Sequence, residues 1–451
     1  MAKRLFGTDG IRGVAGEYPL DPKTVTALGV ALADDLTRRG LHLFPVLIGM
    51  DTRESGPALA ARLADGLVRG GVAVEFVGVL TTPGVAYLAR TGAFSAGVMI
   101  SASHNPFQDN GIKVFAQSGY KLPDLEEHEI EEEVFQILDS GDLDDLPEDA
   151  ALAPLEQTYP VDRYLEFLLG TVSCNLGGRK IVVDCGNGAA SALAPALLTK
   201  AGAEVVSIFD QPNGRNINLK CGATHLDALQ AKVVETGADF GVAFDGDADR
   251  CLMVAKSGKV MDGDAILLVA GARLAKEGKL PGNLLVTTVM SNLGLEKALE
   301  RLGIQMLRTQ VGDKYVLEEM IERGAAIGGE QSGHVIFQQF ATTGDGMLTA
   351  LKVLETCAKE NAGIEELASD LTVFPQLLVN VRVAARRPLS ELPGVQAEIA
   401  ACEKELAGAG RILVRFSGTE LLLRVMVEGL DQKLVESTAA RIVAAIKAEL
   451  G

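Results

Sequence analysis

Three aspartates stand at alternate positions, Asp245, Asp247 and Asp249 in "FGVAFDGDADRCLMV", directly after an apolar run. In an extended segment alternate side chains point the same way, so these carboxylates are expected to converge. Like charges that close repel strongly, and a cation is the usual remedy. A donor set made only of oxygens favours Mg²⁺ or Ca²⁺ over zinc. A calcium-binding EF-hand loop also begins D-x-D-x-D. Here, however, Arg250 holds its sixth position, where Gly is needed, and Lys256 its twelfth, where Glu is needed. An Asp-rich surface turn is the competing reading, and the strand pattern leading straight into the run argues against it.

A second stretch, "GVMISASHNPFQDNGIKVF" from Gly97, ends an apolar run at Ile100 and places Ser103 beside His104. A serine hydrolase needs its histidine to reach the hydroxyl, and a histidine one residue on is poorly placed for that. No G-x-S-x-G elbow surrounds the serine either. His104 is therefore expected to orient or hydrogen-bond. If Ser103 reacts covalently, phosphoryl is the group that suits a metal and cations, because its transfer relies on positioning and charge neutralisation. A phosphoserine would offer oxygens to an ion held by the aspartates, with Lys113 a few residues away.

Three further loops carry polar chemistry. "GGEQSGHVIF" presents Glu330, Ser332 and His334, a pattern that suits sugar hydroxyls and also suits many turns. "VRFSGTELLLR" sets Arg415, Ser417, Gly418 and Thr419 in a tight turn between two strand patterns. Hydroxyls, backbone N–H groups and a guanidinium fork make an anion nest there. "FGTDGIRG" puts Arg12 in a glycine-punctuated loop. The decoy is "VVDCGNGAAS", a G-x-G-x-x-S after a strand with Asp210 further on, close to a dinucleotide fingerprint but without its third glycine. A tight strand-to-helix turn accounts for its glycines. Neither a P-loop nor an H-E-x-x-H signature occurs.

The elements that must position these loops follow a repeated plan. Segments from Val46, Lys180 and Asn283 each read as strand, small-residue loop, helix, Gly and strand, a βαβ unit with buried strands. After about residue 372 strands and amphipathic helices group differently, as in an α+β tail. The expectation is three related α/β domains with mixed sheets plus a smaller C-terminal α+β domain, at 1–155, 156–255, 256–372 and 373–451. The acidic run Asp124 to Ala150 reads as a helix and then a loop, a solvated face joining domains.

The 451 residues can bury a large core without staples. A formal charge of -18 argues against nucleic acid, whose phosphates need clustered Lys and Arg. Six scattered cysteines with no C-x-x-C suggest reduced thiols in the cytoplasm. No apolar run is long enough for a membrane span, and the start of the chain lacks the apolar core of a signal peptide. Composition and motifs do not fix the oligomeric state, and a homodimer is compatible with both.

Taken in order, "GTDGIRG" at 7–13, "SASHNP" at 101–106, "DGDADR" at 245–250, "RTQVGDKYV" at 308–316, "GEQSGH" at 329–334 and "RFSGTE" at 415–420 resemble the α-D-phosphohexomutase superfamily over essentially the whole chain. The likeness is greatest to its bacterial branch acting on glucosamine phosphates. The resemblance implies four domains around a central cleft, Mg²⁺ and a phosphoserine enzyme. By motif position Ser103 would carry the phosphoryl group, and Asp245, Asp247 and Asp249 would bind Mg²⁺ together with it. Glu330 and Ser332 would grip sugar hydroxyls. Arg415, Ser417, Gly418 and Thr419 would hold the non-reacting phosphate. Arg12, Lys113, His104, Arg250 and His334 would supply charge, orientation or proton transfer. The implied reaction interconverts glucosamine 6-phosphate and glucosamine 1-phosphate through a 1,6-bisphosphate and feeds UDP-N-acetylglucosamine synthesis. That bisphosphate, or a kinase, would prime Ser103. Phe416, Leu421 and Lys314 depart from the family pattern. A glucose or mannose mutase of the same superfamily is the nearest alternative. A metal-dependent sugar phosphatase or a dinucleotide oxidoreductase is the remote one.

Overall fold

Parallel strands buried on both faces need continuous apolar runs, and the runs at residues 46–50, 96–100, 180–184 and 240–244 supply them. The computed structural model describes residues 5–7, 9–143, 156–157, 159, 161–416 and 421–451. They divide into two compact units, Met1–Val289 with Leu307–Ala368, and Met290–Met306 with Ser369–Gly451.

The first unit is built on three mixed sheets. The six-stranded sheet runs Phe6–Gly7, Gly10–Val14, Asp109–Ala116, Ala96–Ile100, Val46–Met50, Val74–Val79. Its last three strands are parallel and the others antiparallel. The second sheet runs Val260–Met261, Cys251–Ala255, Phe240–Phe244, Lys180–Asp184, Glu204–Ile208, again parallel at one side and antiparallel at the other. A four-stranded sheet, Gln305–Thr309, Leu284–Thr288, Ile327–Gly329, Val335–Phe337, repeats the scheme. Each sheet thus joins parallel strands linked by βαβ crossovers to an antiparallel strand.

Helix Pro22–Arg38 starts cleanly because the Asp21 carboxylate accepts the Thr24 N–H and proline occupies the first turn. Its apolar face joins the core of the six-stranded sheet through Val25, Leu28 and Leu32. The acidic helix Asp124–Ser140 corrects the expectation of a solvated face. Ile130 and Val134 are sealed in that same core. Glu131 is buried too, and its carboxylate accepts the N–H groups of Leu5 and Phe6. The negative charge of this segment therefore does structural work at the head of the chain. The rest of the acidic run, 144–150, lies outside the described residues.

The second unit holds a three-stranded antiparallel sheet, Gln376–Arg382, Leu422–Gly429, Gly410–Phe416. Helices Pro393–Leu406 and Gln432–Leu450 cover it through Val395, Leu406, Val435, Ile442 and Ile446. This is the α+β pattern expected of the tail. No helix among the described residues is long and apolar enough to cross a membrane.

Candidate active site

Loops that leave the carboxyl ends of parallel strands are the usual place for chemistry in α/β sheets. The serine loop follows strand Ala96–Ile100, and the aspartate loop follows Phe240–Phe244. The two meet. Ser103 Oγ donates to Asp245 Oδ2 at 2.6 Å, and Ser103 is only 2% exposed.

The aspartates converge, but not through the alternation of an extended strand. Residues 245–249 form a tight turn in which the Ala248 N–H reaches the Asp245 carbonyl at 3.1 Å and Ala248 takes φ 55°. Two glycines make room for it. A Cβ on Gly246 would stand 2.4 Å from the Ser103 carbonyl oxygen, and one on Gly188 would stand 2.4 Å from the Gly246 carbonyl oxygen. Of the dinucleotide-like glycines, Gly188 therefore serves close packing against the aspartate turn, supported by a bond from the Ala189 N–H to Gly246 O at 2.8 Å, while Gly186 takes φ 59° beside the Phe244 carbonyl.

One oxygen from each of the three carboxylates lies within 4.8 Å of the others. Asp247 Oδ2 is taken by Thr82 Oγ1 at 2.5 Å and Lys113 Nζ at 2.9 Å. Its Oδ1, and Oδ1 of Asp249, are buried with no hydrogen-bond partner among the described residues. Among the described residues Asp249 Oδ1 has only Arg250 Nε at 4.0 Å, and buried acceptors seldom lack a hydrogen bond, so two such oxygens in a cluster of three carboxylates fit a hard divalent cation. Burial and the charges of Asp249 and Asp247 push the Asp245 carboxyl well above the usual range. Burial works the same way on Asp247, but the Lys113 ammonium and the bonds from Thr82 and Lys113 override it and bring that carboxyl down to about 2.

Behind the carboxylates runs a chain of alternating charge. Lys113 Nζ contacts Asp247 at 2.9 Å, Asp9 at 3.1 Å and Asp249 at 3.5 Å. Lys121 joins Asp9 at 2.5 Å to Asp313 at 2.6 Å, and Arg12 reaches Asp9 at 2.6 Å. Burial favours loss of the Lys113 proton, yet Asp247, Asp9 and Asp249 hold it on far above the ordinary range. The three aspartates thus favour the charged form of Lys113.

The cavity above this floor has a volume of about 410 Å³. Ser103, His104, Arg12, Asp249, Arg250, Glu330 and His334 all line it. His104 Nδ1 lies 3.3 Å from Ser103 Oγ. Burial, then the Arg250 and Arg12 charges, lower its pKa to about 4, so its imidazole is neutral near pH 7. The Gly344 N–H donates to His334 Nε2 at 3.2 Å. Asp313 Oδ2 lies 3.6 Å from the same nitrogen, and His334 Nδ1 is buried without a hydrogen-bond partner among the described residues. The ladder pairing of Arg250 with His334 and the bond from the Cys251 N–H to Gly333 O stitch the aspartate loop to the Glu330 loop. Glu330 Oε1 accepts the Gly312 N–H at 3.2 Å, and Ser332 Oγ lies 3.3 Å from Glu330 Oε2. Ser332 itself is beside Glu330 and not on the cavity lining.

In the second unit Arg415 is the penultimate residue of strand Gly410–Phe416, and its register partner is Arg424. Burial and then the Arg424 charge lower the proton affinity of Arg415. Ser417, Gly418 and Thr419 lie outside the described residues. Sequence reasoning placed no weight on Arg424, Asp9, Lys121 or Asp313. The last three sat inside or beside quoted motifs, but nothing in their spacing showed that they join.

Family models for phosphoglucomutase/phosphomannomutase domains match in order: α/β/α domain I at residues 3–140, domain II at 162–258, domain III at 262–374 and the C-terminal domain at 378–445. A phosphoglucosamine mutase of Solibacter usitatus is 56% identical over 456 residues, covering 100% of both chains. One from Desulforamulus reducens is 50% identical, covering 97% of each. The crystal structure of a phosphoglucomutase/phosphomannomutase family protein from Burkholderia thailandensis superposes with a TM-score of 0.79 at 26% identity, covering 98% of this chain and 97% of that one. The four domain models match in the family's order, with the serine loop in the first and the aspartate turn in the second, and the chain belongs to the phosphoglucomutase/phosphomannomutase family, the α-D-phosphohexomutases.

Proposed function

We propose that this chain is a phosphoglucosamine mutase that interconverts glucosamine 6-phosphate and glucosamine 1-phosphate through a phosphorylated Ser103. The observation that carries the reading is Ser103 Oγ at 2.6 Å from Asp245, beside two carboxylates with buried oxygens that lack a hydrogen bond among the described residues and on the wall of a cation-rimmed cavity. The amino-sugar substrate is supported by whole-length relatives that bear that activity's name.

In the forward half-reaction the Oγ–P bond of phosphoSer103 breaks as a P–O bond forms to O1 of glucosamine 6-phosphate, and the O1 hydroxyl proton passes through the cavity to the departing Oγ, which leaves as the serine hydroxyl. The product is the 1,6-bisphosphate. After it turns over in the cavity, Ser103 Oγ attacks the 6-phosphoryl group and gives up its proton, the O6–P bond breaks, O6 takes up that proton, and glucosamine 1-phosphate leaves with Ser103 phosphorylated again. Asp245, Asp247 and Asp249 with Ser103 would hold Mg²⁺, which supplies charge neutralisation at the transferring phosphoryl oxygens. Lys113, whose charged form three aspartates favour, would supply positive charge beside the metal-binding carboxylates. His104 is neutral and within reach of Oγ, which suits it to orient the hydroxyl. Glu330 accepts bonds from sugar hydroxyls or from the substrate ammonium. Arg415, with the turn after it, would hold the phosphate that is not being transferred. Priming requires a bisphosphate or a kinase, and the cytoplasm is where this substrate would be met.

The test is a coupled isomerisation assay on glucosamine, glucose and mannose phosphates with wild-type protein and Ser103→Ala. Turnover is expected to be fastest with glucosamine phosphate and to fall by orders of magnitude in the variant. Equal rates with glucose or mannose phosphate would overturn the substrate, and an active Ser103→Ala would overturn the phosphoserine.

A further inference from the structure

Arg53 is among the largest fully buried side chains of the chain, 1% exposed, and it lies outside the cavity wall. A guanidinium has five N–H donors. All five are spent on the serine loop and its support. Nε donates to Asp51 Oδ2 at 2.9 Å. One terminal nitrogen donates to the carbonyls of Pro106 and of Asp109, the latter at 3.0 Å. The other donates to the carbonyls of Ser103 and Asn105, both at 2.9 Å. No donor remains for a ligand.

The partner of Arg53 grips the same serine from its other side. Asp51 Oδ2 accepts from Ser101 Oγ at 2.6 Å, and Ser101 Oγ accepts the Ser103 N–H at 2.9 Å. Asn218 Nδ2 adds a second donor to the Ser103 carbonyl at 2.8 Å and reaches Asn105 O at 3.2 Å. The restraint is needed because Ser103 has φ 51°, a left-handed conformation that a residue with a Cβ adopts at a cost unless its surroundings impose it. In that conformation Oγ faces Asp245 while the carbonyl packs on Gly246.

We propose that Arg53 is a positioning residue for phosphoryl transfer: its five N–H groups, with Asp51 and Asn218, hold the serine turn in the left-handed form that aims Ser103 Oγ at the carboxylates of residues 245–249. The inference rests on the phosphoserine reading above. A lysine cannot replace Arg53, since three donors on one nitrogen cannot span four carbonyls and a carboxylate.

The experiment uses full-length protein carrying ³²P on Ser103, saturated with Mg²⁺, and follows loss of label to glucosamine 6-phosphate in a single turnover. In Arg53→Lys the transfer rate is expected to fall about a hundredfold, the scale of a misplacement of about 1 Å. The KM is expected to stay within about threefold, because no substrate contact is lost. Asn218→Ala, which removes one of two donors to the same carbonyl, is expected to show a smaller fall in the same step, and it serves if Arg53→Lys does not fold. A transfer rate within about threefold of wild type in the folded variants, with only a lower melting temperature, would overturn the positioning role. Absence of label on Ser103 in the parent protein would instead overturn the phosphoserine reading, so the two failures are told apart.

Discussion

Lys113 Nζ lies 2.9 Å from Asp247 Oδ2, with side chains 2% and 0% exposed. Removing one partner of a sealed pair leaves an uncompensated charge, which costs about 3–5 kcal/mol. Lys113→Met keeps the length of the side chain and removes only the ammonium. Its unfolding free energy in urea is expected to fall by about that amount in EDTA. The loss should shrink in Mg²⁺, because the carboxylates regain a cation. An equal loss with and without Mg²⁺ would show that Asp247 does not face the metal position.

Metal dependence is expected to follow the aspartates individually. EDTA should abolish turnover, and Mg²⁺ should restore it. Asp249→Asn removes the charge of a carboxylate whose Oδ1 is buried without a hydrogen bond among the described residues. The Mg²⁺ needed for half-maximal turnover should rise about tenfold or more, since even hydrogen-bonding partners of metal ligands shift affinity by about 10–100-fold. Calorimetry of Mg²⁺ or Mn²⁺ binding reads the same shift without turnover. An unchanged isotherm would remove Asp249 from the metal site.

The Asp triplet shows what the sequence made legible and what it did not. The ligand types and their grouping are visible in "DGDADR". The turn that brings them together is not, because it depends on Gly188 and Gly246 letting two distant loops touch. The parallel strands were readable for the opposite reason: burial on both faces writes an unbroken apolar run into the chain. Left-handed Ser103 and Ala248 left no mark, since neither residue type favours φ above zero and tertiary bonds impose it. Nor could spacing show that Lys121 joins Asp9 to Asp313, segments 112 and 192 residues from it. Glu131 misled in another way. A charge run normally marks a solvated face, and here one carboxylate caps the N–H groups of Leu5 and Phe6.

Two buried carboxyls outside the cavity give opposite pH dependences. Glu355 accepts from Ser173 N–H at 2.8 Å and Ser173 Oγ at 2.9 Å, with Lys359 at 2.9 Å. Burial raises its pKa, but these bonds and charges bring it from 4.5 down to about 2. A depressed folded pKa stabilises above the unfolded value, and that stability is lost as pH falls through the folded value. Wild type should therefore exceed Glu355→Gln by about 2 kcal/mol above pH ~5, with the two curves converging towards pH ~2. Parallel curves would refute the assignment.

Asp345 runs the other way. It accepts from Tyr164 Oη at 2.8 Å and caps helix Gly346–Glu360 through the Leu348 N–H at 2.9 Å, yet burial raises its pKa to about 6. The folded state then holds a proton that the unfolded state has released, so this group's contribution falls as pH rises from about 4 to 6. Asp345→Asn keeps an oxygen for the cap and cannot ionise. Its stability relative to wild type should improve by about 1–3 kcal/mol between pH 4 and pH 7, read by urea unfolding. A constant difference across that range would exclude a raised Asp345 pKa.

Arg415 and Arg424 sit directly across an antiparallel pair. Like charges so placed destabilise a sheet by about 0.2–1 kcal/mol. Arg415→Gln is therefore expected to leave the melting temperature unchanged or slightly raised. If the pair serves the non-reacting phosphate, the same substitution removes a charge-assisted contact that binds substrate and transition state alike. Such contacts contribute about 1.5–3 kcal/mol, so KM for the sugar phosphate should rise about 10–100-fold with little change in kcat. Steady-state kinetics beside a melting curve separates the two effects. A wild-type KM would place phosphate recognition elsewhere, and a collapsed melting temperature would make Arg415 a structural group of the sheet.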